Sequence, residues 1–139
     1  MADANDFNQK VIEEFRANGG KVGGSFEGRP MMLLTTTGAK SSQQRVSPLV
    51  YTNDGDSIVV IASKGGAPTN PDWYHNLVAN SVVTVEVGED QYKANARVAS
   101  GDERERLYAA QAEIMPFFAV YQRNTTREIP VVVLKRSGQ

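Results

Sequence analysis

The side chains best suited to chemistry are gathered in one short stretch, Ile61 to Leu77, which reads IASKGGAPTNPDWYHNL. A run rich in β-branched residues, Ser57 to Ala62, ends at Ser63-Lys64-Gly65-Gly66. Two adjacent glycines let the backbone approach a flat or anionic ligand with no Cβ in the way. The lysine beside them and the backbone N–H groups of such a loop suit phosphate or carboxylate oxygens. Pro71-Asp72-Trp73-Tyr74 then opens a helical pattern that carries the only tryptophan of the chain. Strand, bare-backbone loop, cation and aromatic in that order read as a cofactor cradle. It is not a Walker loop, because the spaced glycines and the Gly-Lys-Ser/Thr ending are absent. Nor is it a dinucleotide fingerprint, since no βαβ frame with an acidic residue follows it.

A second polar turn, Gly38-Ala39-Lys40-Ser41-Ser42, leads into Gln43-Gln44-Arg45. Lys40 and Arg45 at the near end of a hairpin, with two serine hydroxyls between them, can clamp a phosphate or carboxylates. The same residues also make an ordinary solvated turn. Trp73, Tyr74 and Leu77 stand at helical spacing, which suits core packing as well as a ligand wall. His75 is the single histidine and has no partner in sequence that would make it a general base. Met115-Pro116-Phe117-Phe118-Ala119-Val120-Tyr121 is apolar for a stretch broken by proline, and it can form either core or the wall of an apolar substrate pocket. Glu103-Arg104-Glu105-Arg106 reads as a solvated helix face. No spacing supports a Ser-His-Asp triad or a carboxylate pair. An enzyme of this sequence draws its chemistry from a bound cofactor.

The elements that must hold these residues follow from pattern and punctuation. The chain has 139 residues, 40% of them hydrophobic and 22% charged, which suits one globular domain over 1–139. A net charge of −1 gives no general attraction to nucleic acid. With no cysteine and one histidine there is neither a disulfide nor a plausible zinc site. The acidic, polar start lacks the pattern of a secretory signal, so a cytoplasmic protein is expected. Within 1–20, Phe7, Val11, Ile12 and Phe15 share one face of an amphipathic helix, ended by Asn18-Gly19-Gly20. That face can pack on the core, on a second subunit, or weakly on the inner membrane surface.

Strands are expected over Met31–Thr37, Gln43–Asn53, Ser57–Ser63, Val82–Val87, Gln91–Ala99 and Ile129–Lys135. Helices are expected from Pro71 to about Ala79, from Glu103 to about Ile114, and briefly over Phe117–Asn124. Six strands joined mainly by tight turns argue for an α+β fold around an antiparallel sheet that curls into a small barrel.

With the loops in register, the chain closely resembles the deazaflavin-dependent nitroreductase family of actinobacteria, which uses coenzyme F420. The likeness rests on Thr35-Thr36-Thr37-Gly38-Ala39-Lys40-Ser41-Ser42, Arg45-Val46-Ser47-Pro48-Leu49, Ala62-Ser63-Lys64-Gly65-Gly66-Ala67, Asn70-Pro71-Asp72-Trp73-Tyr74-His75-Asn76-Leu77 and Arg127-Glu128-Ile129-Pro130-Val131-Val132-Val133. It covers about Phe7 to Leu134. The resemblance implies a split β-barrel of the flavin-reductase, FMN-binding type. It also implies hydride transfer from reduced deazaflavin to a small-molecule acceptor such as a quinone or a nitroaromatic compound.

By the same resemblance, Lys40, Ser41 and Arg45 hold the phosphate and glutamate tail, and Val46 and Ser47 continue that wall. Ile61, Ala62, Ser63 and Lys64 line the deazaflavin, Gly65 and Gly66 allow its close approach, and Asp72, Trp73, Tyr74, His75 and Asn76 close the other side. Val50, Met115, Phe118 and Tyr121 stand about the acceptor. The family's best-known members carry tyrosines there, so a more apolar pocket is implied, with Tyr121 alone keeping a hydroxyl. Ser63 is assigned a hydrogen bond near the reacting centre and Tyr121 a substrate contact or proton donor. No metal is implied, and barrels of this type are often homodimers. Two other readings stay open: a non-catalytic deazaflavin-binding protein and an FMN-dependent oxidoreductase on the same barrel.

Overall fold

The computed structural model describes residues 4–23, 30–63 and 69–136. Its elements run α1 (Ala4–Ala17), β1 (Met31–Thr37), β2 (Gln44–Val50), β3 (Thr52–Asp54), β4 (Ser57–Ile61), α2 (Asp72–Ala79), β5 (Val82–Val87), β6 (Asp90–Val98), α3 (Gly101–Ile114), α4 (Phe117–Arg123) and β7 (Val131–Arg136). All strand pairings are antiparallel, in the order β2-β1-β5-β6-β7-β4-β3.

The expected strand over Gln43–Asn53 is two strands. β2 pairs with β1 at one end of the sheet order, β3 pairs with β4 at the other, and only Tyr51 lies between them. Its amide donates to the Pro30 carbonyl at 3.1 Å, which satisfies the backbone at the bend. One continuous segment therefore joins the two ends of the sheet order as the sheet curls into a split barrel, and the count rises from six strands to seven. The run Leu49-Val50-Tyr51-Thr52 contains no glycine or proline to mark the bend, so the sequence reads on as a single strand.

Strand alternation sorts the apolar residues into three groups. Met32, Leu34, Ile58, Val60, Val83, Val85, Ala94, Val132 and Leu134 face the barrel interior, joined by Trp73 and Leu77 from α2. Val59, Ile61, Val131 and Val133 point outward beneath Leu107 and Tyr108 of α3, Met115, and Phe118 of α4. Val11, Ile12 and Phe15 of α1 cover Met31 and Leu33 on the outer face of β1. β7 is buried on both faces from Val131 to Leu134, which explains its unbroken aliphatic run. The described apolar face of α1 is spent on the barrel, with Phe15 only 1% exposed. Among the described residues no helix is long and apolar enough to cross a membrane.

Candidate functional site

The β1–β2 turn is built around a glycine. Gly38 N–H donates to the Gln43 carbonyl at 2.7 Å, and Ser42 N–H donates back to the Gly38 carbonyl at 3.0 Å. A Cβ on Gly38 would sit 2.5 Å from Ser41 Oγ and 3.1 Å from the Gln43 carbonyl, so a side chain there would force Ser41 and the turn to shift. Ser42 takes a left-handed φ of 61°, and Ser41 Oγ accepts the Gln43 amide at 3.2 Å. Lys40 and Ser41 stand exposed at the tip. Arg45 is exposed just beyond, directly across from Thr36.

Asn76 ties this turn to α2. Its Oδ1 accepts the Ala39 amide at 3.0 Å, and its Nδ2 donates to Thr36 Oγ1 at 3.2 Å. Asn80 adds a longer bond from Nδ2 to the Thr37 carbonyl. The two segments singled out from sequence, 35–45 and 70–77, are thus one structural unit. The four ion pairs among the described residues use Arg16, Arg97, Arg104 and Arg106. Neither Lys40 nor Arg45 is in an ion pair among the described residues.

Not every residue of these segments faces the same way. The register places Arg45 and Ser47 with Thr36 and Leu34 on the inner face of the sheet, whereas Val46 pairs with Thr35 on the outer face. Val46 packs against the α1 cluster. Trp73 is 7% exposed within the barrel interior, and Asn76 commits its amide to Thr36 and Ala39. Asp72 and His75 are exposed, Tyr74 is half-buried, and the Tyr74 and His75 rings meet edge-on with centroids 5.6 Å apart.

At the end of β4, Ala62 N–H donates to the Pro130 carbonyl at 2.9 Å, and Ser63 is buried. Lys64, Gly65 and Gly66 lie outside the described residues. Ile61 faces outward into the cluster that holds Met115 and Phe118, with Val50 and Tyr121 packed at its margin. The structure therefore brings together all four residues expected about the acceptor and adds Ile61 to them. Tyr121 is half-buried, its ring edge-on to Phe118 at 5.4 Å and to Phe117 at 5.5 Å. α4 is fixed in place by the Tyr108 hydroxyl, which donates to the Phe118 carbonyl. Burial, the larger influence, raises the Tyr108 pKa above the ordinary tyrosine value.

One expectation fails on α3. Arg104 is not part of a solvated face: it is 6% exposed and donates twice to the Ile129 carbonyl, at 3.2 and 2.8 Å. It also reaches Gln122 Oε1 at 2.6 Å and lies 4.7 Å over the Tyr108 ring. Its spacing to Leu107, Tyr108 and Gln111 was the available signal, because residues three, four and seven apart share a helix face. Arg127 enters the sequence reading only as the first residue of the last family motif, with no role of its own. It donates to the carbonyls of Ala62 and Ser63 at 3.0 and 2.7 Å. A groove of about 390 Å³ opens on the outer face among Thr37, Gln44, Asn80 and Lys93, and none of the expected site residues lines it.

The arrangement offers two exposed cations on an anchored turn, a buried strand end at Ser63, and an apolar wall with one phenol. That donor set fits an elongated ligand with an anionic tail and a flat, uncharged head.

Comparison with known proteins points the same way. Residues 8–136 match the family model described as F420H(2)-dependent quinone reductase. An F420H(2)-dependent quinone reductase of Mycobacterium tuberculosis is 41% identical over 128 residues, covering 88% of this chain and 85% of that one. The solved structure of an F420-H2 dependent reductase (FDR-A) superposes with a TM-score of 0.71 at 41% identity, over 77% of this chain and 95% of that one. A second solved relative, described as a domain-swapped dimer, gives a TM-score of 0.73 at 36% identity, over 96% of this chain and all of its own.

Proposed function

The chain belongs to the F420H(2)-dependent quinone reductase family, and we propose that it reduces a quinone with a hydride from reduced coenzyme F420, using the residues assembled above. The observation that carries the reading is the pair Lys40 and Arg45 on a turn pinned by Asn76. A phosphate and glutamate tail needs cations that are not already neutralised by protein carboxylates, and a rigid turn lowers the ordering cost of binding it.

Residues of the chain would supply position, dryness and a proton. Lys40 and Arg45 bind the tail, with Ser41 Oγ beside them. Ala62 and Ser63 at the end of β4 would wall the ring system, with the Ser63 hydroxyl to hydrogen-bond it, while Ile61 stands in the acceptor cluster. Val50, Met115 and Phe118 exclude water from the acceptor, which strengthens every polar contact made there. When bound in its reduced form the coenzyme supplies two electrons and one proton as a hydride, and a quinone needs one further proton to leave as the quinol. That proton is assigned to Tyr121, a reading supported by its position in the same cluster and by a hydroxyl that no described residue hydrogen-bonds. The apolar wall favours a planar, uncharged acceptor over a polar one.

The test is anaerobic mixing of reduced coenzyme F420 with a soluble naphthoquinone and, separately, with a nitroaromatic compound, following return of the oxidised coenzyme's absorbance. Turnover with the quinone exceeding turnover with the nitroaromatic supports the reading. Binding of the coenzyme without turnover of either acceptor would make this a deazaflavin-binding protein only.

A further inference from the structure

Arg127 stands outside every role assigned so far, yet its guanidinium makes three hydrogen bonds beside the proposed coenzyme wall. Its Nη1 donates to the Ala62 carbonyl at 3.0 Å and to Asn70 Oδ1 at 2.7 Å, while Nη2 donates to the Ser63 carbonyl at 2.7 Å. These partners come from two segments, the end of β4 and the approach to α2. A guanidinium can hold both because its donors are fixed in a planar fork, which an ammonium lacks.

The mount beneath Arg127 is equally well defined. Its carbonyl accepts from Gln122 Nε2 at 2.8 Å, and its amide donates to Thr125 Oγ1 at 3.3 Å. Gln122 Oε1 in turn accepts the Ile129 amide at 3.1 Å and Arg104 Nη2 at 2.6 Å. Gln122 belongs to α4, the helix that also carries Phe118 and Tyr121. The series of bonds therefore runs from α4 through the Arg127 backbone to its side chain, and from there to Ser63 and Asn70.

We infer that Arg127 is a positioning residue: its guanidinium sets the end of β4 at Ala62–Ser63 against Asn70 and against α4, and so fixes the coenzyme wall relative to the acceptor wall. Hydride transfer is steeply sensitive to such spacing, since a shift of about 1 Å in a bound pair costs on the order of a hundredfold in rate. The inference rests on the proposed function.

Three variants of the full chain test it: Arg127→Lys, which keeps the charge and loses the fork, Arg127→Met, and Asn70→Ala, which removes a single bond. Each is measured for binding of oxidised coenzyme F420 by tryptophan fluorescence, for thermal unfolding, and for amide exchange without ligand. Arg127→Lys and Arg127→Met are expected to weaken binding about tenfold and Asn70→Ala about threefold. Exchange should rise at Ala62, Ser63 and Asn70 and stay unchanged in β5 and β6. Restoration of wild-type affinity by Arg127→Lys, within twofold, overturns the inference, because charge alone would then suffice. Exchange that rises throughout the barrel together with weaker binding also overturns it, reducing Arg127 to a stabilising tie. Failure of the unaltered protein to bind the coenzyme is a different result: it removes the proposed function, and the coenzyme role of Arg127 with it. Should Arg127→Met not fold, Arg127→Lys and Asn70→Ala still decide the matter.

Discussion

Asn76 Oδ1 accepts the Ala39 amide proton across 3.0 Å, joining helix α2 to the turn that carries Lys40. The same side chain donates to Thr36 Oγ1, so one buried amide sets both the strand end and the turn. Replacing it by alanine strands a backbone donor and a threonine hydroxyl. Asn76→Ala should cost about 1–3 kcal/mol of stability and weaken coenzyme binding, because the two cations lose their fixed mount. Chemical denaturation and a binding titration check both halves. Unchanged affinity in a folded variant would mean that the turn holds its shape without Asn76.

Ser63 and Tyr121 should separate in kinetics. Ser63→Ala is expected to weaken coenzyme binding, since Ser63 is proposed to stand on the coenzyme wall. Tyr121→Phe keeps the ring packing against Phe117 and Phe118 and removes only the hydroxyl that would donate the proton. It should lower kcat by roughly ten- to a hundredfold while leaving coenzyme affinity unchanged. A Tyr121→Phe protein with full turnover would assign the proton to water or to another group.

Gln111 is fully buried on α3, its Oε1 accepting from Thr52 Oγ1 at 3.1 Å, while its Nε2 has no partner among the described residues. A buried donor left unpaired costs stability, and removing both polar partners together avoids that cost. The double variant Thr52→Val, Gln111→Met should therefore be as stable as the parent or more so, by about 1 kcal/mol. A clear loss of stability in the double variant would show that Nε2 is satisfied by a buried water.

Acid should weaken the outer face of the barrel. The Arg106 guanidinium hydrogen-bonds the Asp54 carboxylate and holds its pKa below the ordinary 3.8, and Arg97 does the same to Glu103, below the ordinary 4.5. A depressed carboxyl contributes stability that is present above its unfolded pKa and lost as pH falls through the folded one. The melting temperature should be flat from neutral pH to about pH 5 and fall below about pH 4. Asp54→Asn with Glu103→Gln should make that fall shallower. Both pairs are exposed, so a steep acid transition that survives in the double variant would place its origin elsewhere.

Much of this architecture is legible in the sequence because its signals are local. The turn at Gly88 and the alternation of Val83, Val85 and Val87, then of Tyr92, Ala94, Ala96 and Val98, mark β5 and β6, and Pro71 marks the start of α2. Membership of a coenzyme F420 family is legible too, since the loop motifs stand in register along the chain. What sequence conceals is long-range. Nothing near Tyr51 shows that β2 and β3 leave for opposite ends of the sheet order. Asn76 stands among the expected ligand contacts, yet its amide serves Thr36 and Ala39. Val46 follows Arg45 in sequence but faces the other side of the sheet, because neighbouring strand residues alternate. Arg104 and Arg127 look like surface cations by type, and only the fold brings carbonyls from distant segments to their guanidinium groups.

The central claim is that Lys40 and Arg45 hold the anionic tail of coenzyme F420. The most direct measurement is a fluorescence titration with oxidised coenzyme F420 and with FMN at several salt concentrations, on the parent and on Lys40→Ala, Arg45→Ala. The parent should bind coenzyme F420 more tightly than FMN, with an affinity that falls as salt rises. The double variant should bind it at least about tenfold more weakly and with little salt dependence. Tighter binding of FMN, or coenzyme binding indifferent to both substitutions and to salt, would contradict the account.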